Sequence, residues 1–151
     1  RLSLVGSEMC IRDRIYRVLK PEGIFIAVRE HVISSPSDLP KFLAIHPLHK
    51  LYGGENAYLL KQYLQAIKLA ELRINRVIAP FDSVINYAPL TEESLKKELN
   101  KRFNQIPGGN IFYQLFSRKM TFNILLRLLS AIDSRPGRLF SFVCYKPQER
   151  S

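Results

Sequence analysis

Residues Arg17 to Glu30 read RVLKPEGIFIAVRE, and the fold turns on this stretch. Ile15, Val18 and Leu19 keep a helical spacing up to Lys20, where Pro21 and Gly23 break it. Ile24 to Val28 then forms a continuous apolar run, closed by the charged pair Arg29-Glu30. A run of strand length without polar alternation suits a strand covered on both faces, as in a mostly parallel sheet.

Working toward the carboxyl end, Ser34 to Pro40 reads as loop, and a short helical turn over Leu39 to Ile45 stops at His46-Pro47. Gly53-Gly54 opens a predicted helix from Glu55 to Leu72. Its apolar face carries Leu60, Tyr63, Leu64, Ile67 and Ala70, and its polar face Lys61, Gln62, Gln65 and Lys68. The β-branched segment Ile74 to Ala79 is a second strand. Strand, helix and strand at this spacing make a crossover unit, which places the two strands parallel in one sheet. Thr91 is suited to cap a further helix that runs to about Asn104, with Glu92 and Glu93 at its positive end. Residues 110–132 read as one broken helix or two, Pro136-Gly137 ends them, and Leu139 to Tyr145 (LFSFVCY) is a third strand.

The 151 residues, 46% of them hydrophobic and 11% aromatic, can build a core and exclude compositional disorder. Two cysteines exclude a disulfide framework and suit a reducing, cytoplasmic setting. The net charge of +10 points toward anionic partners. It is spread out, however: residues 91–138 hold nine Lys or Arg against four acids, with no uninterrupted basic run. No aromatic-rich RNA-binding signature accompanies it. Solvated basic faces are therefore the default and nucleic acid is disfavoured. The apolar segment Ile111 to Ile132 is interrupted by Arg118, Lys119 and Arg127, which excludes a membrane span. It remains a lid over a pocket, a packed core, or an interfacial surface in contact with a membrane.

Candidate chemistry gathers after the first strand. Glu30 and His31 sit just past its carboxyl end, the side on which open α/β sheets bind ligands. An imidazole there is poised to accept a proton, which makes His31 the candidate base. His46, His49 and Tyr52 follow on the next loop. A metal is not expected, because Pro47 breaks helical geometry and no Cys or acidic cluster completes a tetrahedral set. Phe112, Tyr113 and Phe116 are further candidates for substrate contact, and Cys144 reads as a small buried hydrophobe.

RVLKPEG followed by a strand resembles the fifth-strand segment of class I S-adenosylmethionine-dependent methyltransferases, usually R-x-L-K-P-G-G, and the terminal LFSFVCYKP strand supports the resemblance. It implies an α/β fold: the carboxy-terminal half of a Rossmann-like sheet, with two parallel strands and an antiparallel last strand lying between them. Residues 91–135 would be a helical insertion. It further implies S-adenosylmethionine as the intact enzyme's cofactor and a small-molecule methyl acceptor as substrate. The acceptor would be contacted by Glu30, His46, His49, Tyr52, Phe112, Tyr113 and Phe116. No G-x-G-x-x-G turn is present, so cofactor-binding residues are expected upstream of Arg17 and none within this chain. Glu22 replaces the family's glycine, and Glu71 stands where a helix-ending glycine is common, so that helix is expected to run on.

Val5 to Arg14, VGSEMCIRDR, resembles a translated sequencing-library adaptor. Residues 1–14 are accordingly expected outside the fold, with a partial domain over 15–147 and a tail at 148–151. Such a piece is expected to be inactive alone, poorly soluble and molten. The competing reading is a non-catalytic basic α/β module that docks nucleic acid or an anionic membrane surface.

Overall fold

A computed structural model describes residues 14–109, 111, 114 and 119–148. The adaptor-like segment, apart from Arg14, lies outside them, as do Phe112, Tyr113 and Phe116. The chain divides into two compact units, one formed by the chain up to Ile78 together with the part from Ser134 onward, the other by Ala79–Asp133.

The first unit is α/β. Its strands are β1 (Ile24–Ile33), β2 (Tyr58–Leu59), β3 (Arg73–Ile78) and β4 (Arg138–Tyr145), in the spatial order β2-β1-β4-β3. β4 runs antiparallel to both β1 and β3, so those two point the same way with the last strand between them, as the sequence led us to expect. β2 is parallel to β1 and pairs only at Val32 and Ile33. The segment 55–59 had been expected to be helical. Instead Asn56 Oδ1 accepts the Ala57 N–H at 2.9 Å and Tyr58-Leu59 joins the sheet, so helix α3 (Leu60–Leu69) starts later. Between β1 and β2 lie α1 (Leu39–Ile45), which matches its expected bounds, and α2 (Pro47–Tyr52), which was not expected.

β4 is central, and its Phe140, Ser141, Phe142 and Cys144 are buried. α3 covers the Phe142 face: the Tyr63 ring stacks on Phe142 at 5.4 Å and the Tyr63 hydroxyl donates to His31 O at 3.1 Å. Burial pushes the Cys144 thiol pKa up, in keeping with a packing role. Among the described residues the opposite face is exposed over the first half of β1. Ile24, Ile26 and Val28 alternate along it at 64%, 56% and 47% exposure, so the doubly covered strand inferred from the apolar run is covered on one side only.

Both departures from the family's glycines hold the backbone a glycine would hold. Glu22 has φ 63° and Glu71 φ 57°, in the left-handed region. At Glu71 the expected run-on does not occur. The Glu71 N–H bonds Lys68 O at 3.0 Å and the Leu72 N–H bonds Ile67 O at 3.3 Å, a Schellman closure that satisfies the last carbonyls of α3. At Glu22 the N–H bonds Lys146 O at 2.9 Å and so extends the β1–β4 ladder past Ile24. Because an L-residue is strained there, Glu22→Gly and Glu71→Gly should each raise stability by about 0.5–1 kcal/mol, read as a higher urea midpoint. An unchanged or lower midpoint in both would refute this account of the turns.

The second unit contains α4 (Val84–Tyr87), α5 (Glu92–Phe103) and α6 (Lys119–Ile132). Thr91 caps α5 as expected: its Oγ1 accepts the Ser94 N–H at 3.2 Å. The core joins Leu95 of α5 to Phe122, Leu125 and Leu126 of α6, with Phe81 and Tyr87 packed against them. No helix among the described residues is long and apolar enough to cross a membrane.

Candidate functional site

β1 does not run straight to its carboxyl end. Ala27 pairs with Phe142 and Glu30 with Phe140, so Ser141 alone faces the two residues Val28 and Arg29. Arg29 takes φ 61° and its N–H donates to the Ser141 hydroxyl at 3.1 Å. Such a bulge adds one residue to a strand and inverts the inside–outside alternation beyond it. Without it, Glu30 would share the open face with Ile24 and Ile26. With it, Glu30 falls on the Phe142 face, and His31, opposite Leu139, moves to the other side.

There His31 meets α1 and α2. Its ring lies 4.8 Å from Phe42 and 4.9 Å from His46, and Phe42 and His46 are 5.0 Å apart. The hydrogen bonds settle the proton positions by elimination. The His49 N–H donates to His46 Nδ1 at 3.4 Å, so that nitrogen carries the lone pair. His46 Nε2 therefore bears the proton and donates to His31 Nε2, 3.2 Å away. His31 Nδ1 in turn bears its proton and donates to Gly137 O at 3.1 Å. Both nitrogens of His31 are thus engaged, and a proton taken from a substrate must arrive at Nε2, the atom His46 occupies.

The pair ties α2 to β1: the His46 ring accepts from the His49 backbone and donates to His31, which is anchored on the Gly137 carbonyl before β4 and lies against the Phe42 ring of α1. The Tyr63 hydroxyl on α3 reaches His31 from the opposite face, at its backbone carbonyl.

The same proton inventory bears on metal binding. A metal on His46 Nε2 would force a proton onto Nδ1, against the His49 N–H. Among the described residues no group of three His, Cys, Asp or Glu could hold a metal ion. Tyr52 is not brought to this site, since its side chain is 84% exposed at the end of α2. His49 contributes its backbone, and its own Nδ1 is buried without a partner. The sequence reading missed Phe42, Tyr63, Gly137 and Arg138. Of these only Gly137 left a signal, as the glycine of a turn, and nothing in that signal named its partner.

Past His31, the carboxyl ends of β1 and β2 and the amino end of β4 border an open cleft of about 450 Å³, whose lining includes Ser34, Ser35, Lys61 and Arg138. Its charge is positive. A sulfonium-bearing cofactor with a ribose diol needs a carboxylate and a glycine-rich turn, and the lining offers neither. The residues described do not fit S-adenosylmethionine.

The site is thus a bulged strand end of an α/β sheet that carries a paired imidazole system and a cationic cleft. No family model and no curated protein matches the sequence. Among solved structures the chain is similar to a protein described as a sarcosine dimethylglycine methyltransferase from Galdieria sulphuraria, at 16% identity and a TM-score of 0.48, over 95% of this chain and 49% of that one. It is also similar to a protein described as a methyltransferase from Bacillus halodurans, at 16% identity and a TM-score of 0.47, over 93% of this chain and 58% of that one. The chain therefore spans about half the length of these structures. At such identity and TM-score the likeness transfers no residue role and no activity.

Proposed function

We propose that the chain is the acceptor-side, carboxy-terminal part of an S-adenosylmethionine-dependent methyltransferase acting on a small molecule, with the cofactor held by residues that precede Ile15. The observation that carries this reading is the pairing of motif with topology. RVLKPEG leads into β1 through a turn whose Glu22 keeps a glycine-like φ of 63°, and the last strand lies antiparallel between β1 and β3. Methyl transfer needs the acceptor aligned with the sulfonium, and a base only where the acceptor holds a proton. The acceptor would lie at the carboxyl end of β1. Its proton would pass to His31 Nε2, with His46 yielding that position. As a piece lacking its cofactor site the chain would be inactive, and we place the parent enzyme in the cytoplasm.

The test is to extend the coding sequence upstream. A strand, glycine-rich turn and helix in frame before Ile15, and calorimetric binding of S-adenosylmethionine by the longer protein, are the expected results. Absence of that unit sinks the reading. The competing basic-module reading loses support on α5, where Lys96 and Arg102 are matched by Glu92 at 2.7 Å and Glu98 at 3.0 Å. A steep salt dependence of binding to duplex or to anionic vesicles would revive it.

A further inference from the structure

We infer that the cleft at the carboxyl end of β1 binds a compact oxyanion, and that the methyl acceptor is therefore a small molecule bearing a carboxylate or a phosphate. The second clause rests on the methyl-transfer reading; the first does not.

Two cations line the cleft, Lys61 from the first turn of α3 and Arg138 from the start of β4. No carboxylate shares the lining. The acid nearest in sequence, Asp38, lies at the rim, where its Oδ2 accepts the Ser35 N–H at 3.0 Å, so one carboxylate stands against the two cations. Arg138 is held in place: its Nη2 donates to the Ser34 hydroxyl at 3.0 Å, and its guanidinium lies 5.7 Å from the centre of the Phe140 ring. A guanidinium held by a hydrogen bond and lying over an aromatic ring has already lost much of its rotamer freedom, so an arriving anion need not order it. Its planar fork suits two oxygens of one group, whereas Lys61 supplies a mobile point charge.

The surroundings strengthen the pairing. Ile33, 4% exposed, and Leu59 give the cleft an apolar side, where a charge pair is less screened than on open surface. Leu59, which precedes α3, has no side-chain oxygen to cap that helix, so the first N–H groups of α3 add to the field set by the two side chains. The volume suits a substrate of small-molecule size with its anionic end on the cations. Gly137 joins the two regions, because its carbonyl receives the His31 proton and the next residue is Arg138.

Equilibrium binding of sodium phosphate and of sodium acetate to the full chain tests the inference, without cofactor, at constant ionic strength set by chloride. Saturable binding at one site per chain is expected. Lys61→Gln and Arg138→Gln should each weaken it at least about tenfold, the value of a charge-assisted hydrogen bond. Arg138→Lys should fall between. Lys61 is exposed, so its variant tests the cleft without threatening the fold, and Lys97→Gln on exposed α5 is the matched surface control. Saturation by phosphate alone or by acetate alone assigns the anion's source. Binding that no cleft variant alters, that Lys97→Gln weakens equally, or that chloride displaces in proportion to ionic strength would overturn the inference. Since no cofactor is present, failure here leaves the methyl-transfer reading standing. Failure of the upstream extension to bind S-adenosylmethionine likewise leaves the anion site standing.

Discussion

Replacing Gly137 by alanine should cost about 2–5 kcal/mol of stability, well above what an ordinary turn glycine costs. Two penalties add. Gly137 has φ +79°, where an L-residue loses about 1–2 kcal/mol. A β-carbon there would also stand 2.5 Å from Cε2 of Phe42, and closer still to Cδ2, on a ring that is 3% exposed and packed among Ile33, Ala57 and their neighbours. Overpacking of that kind adds about 1–3 kcal/mol. The control is Gly53→Ala. Gly53 also has a positive φ, of 68°, but nothing lies within 4 Å of its would-be β-carbon, so only the backbone penalty applies. Urea unfolding of both variants at low protein concentration checks the difference. Equal losses would mean that the Phe42 contact does not constrain the turn. The Gly137 variant should also move His31, whose Nδ1 proton rests on the Gly137 carbonyl and whose ring leans on Phe42.

The second large effect concerns association. Ile24, Ile26 and Val28 are more than 45% exposed on one face of β1, and no strand among the described residues pairs with that stretch on the side away from β4. An apolar face beside an unpaired edge is the arrangement that natural sheets avoid by placing charge on it. We expect the chain to self-associate at concentrations on the order of 10 µM, read by sedimentation velocity as a concentration-dependent shift to larger species. Ile26→Lys sets an ammonium in the middle of the face and should return most of the material to monomer, with its circular dichroism unchanged. A monomer across that range for the unsubstituted chain, or no response to the lysine, would show that the face is not the cause.

Much of the scaffold was legible in the residues because local chemistry and tertiary need agree there. Pro21 and Gly23 end a helix whatever surrounds them, Thr91 needs only Ser94 to cap α5, and β-branched content marks β3. What escaped depended on contacts distant in sequence. Tyr58-Leu59 has helical periodicity and becomes strand because Val32 and Ile33 offer it an edge. The bulge carries no glycine; Arg29 is held in the left-handed region by a bond to Ser141, 112 residues away. Among the candidate site residues, His31 and His46 do meet, as a hydrogen-bonded pair that no linear motif encodes. Tyr52 is turned outward by α2, a matter of helix phase that the Pro47 break hid.

The bulge in β1 has a further consequence for how sequences of this kind can drift in length. Parity counts along a strand, so one residue gained or lost between Ile24 and Glu30 would exchange the sides of Glu30 and His31 and dismantle the imidazole pair, however mild the residue itself. The Gly53-Gly54 loop carries no such ruler, since the space around both glycines is open. Length variation among relatives should therefore collect at that loop and be absent from the first strand, and a library of single-residue insertions scored for folding would draw the same map.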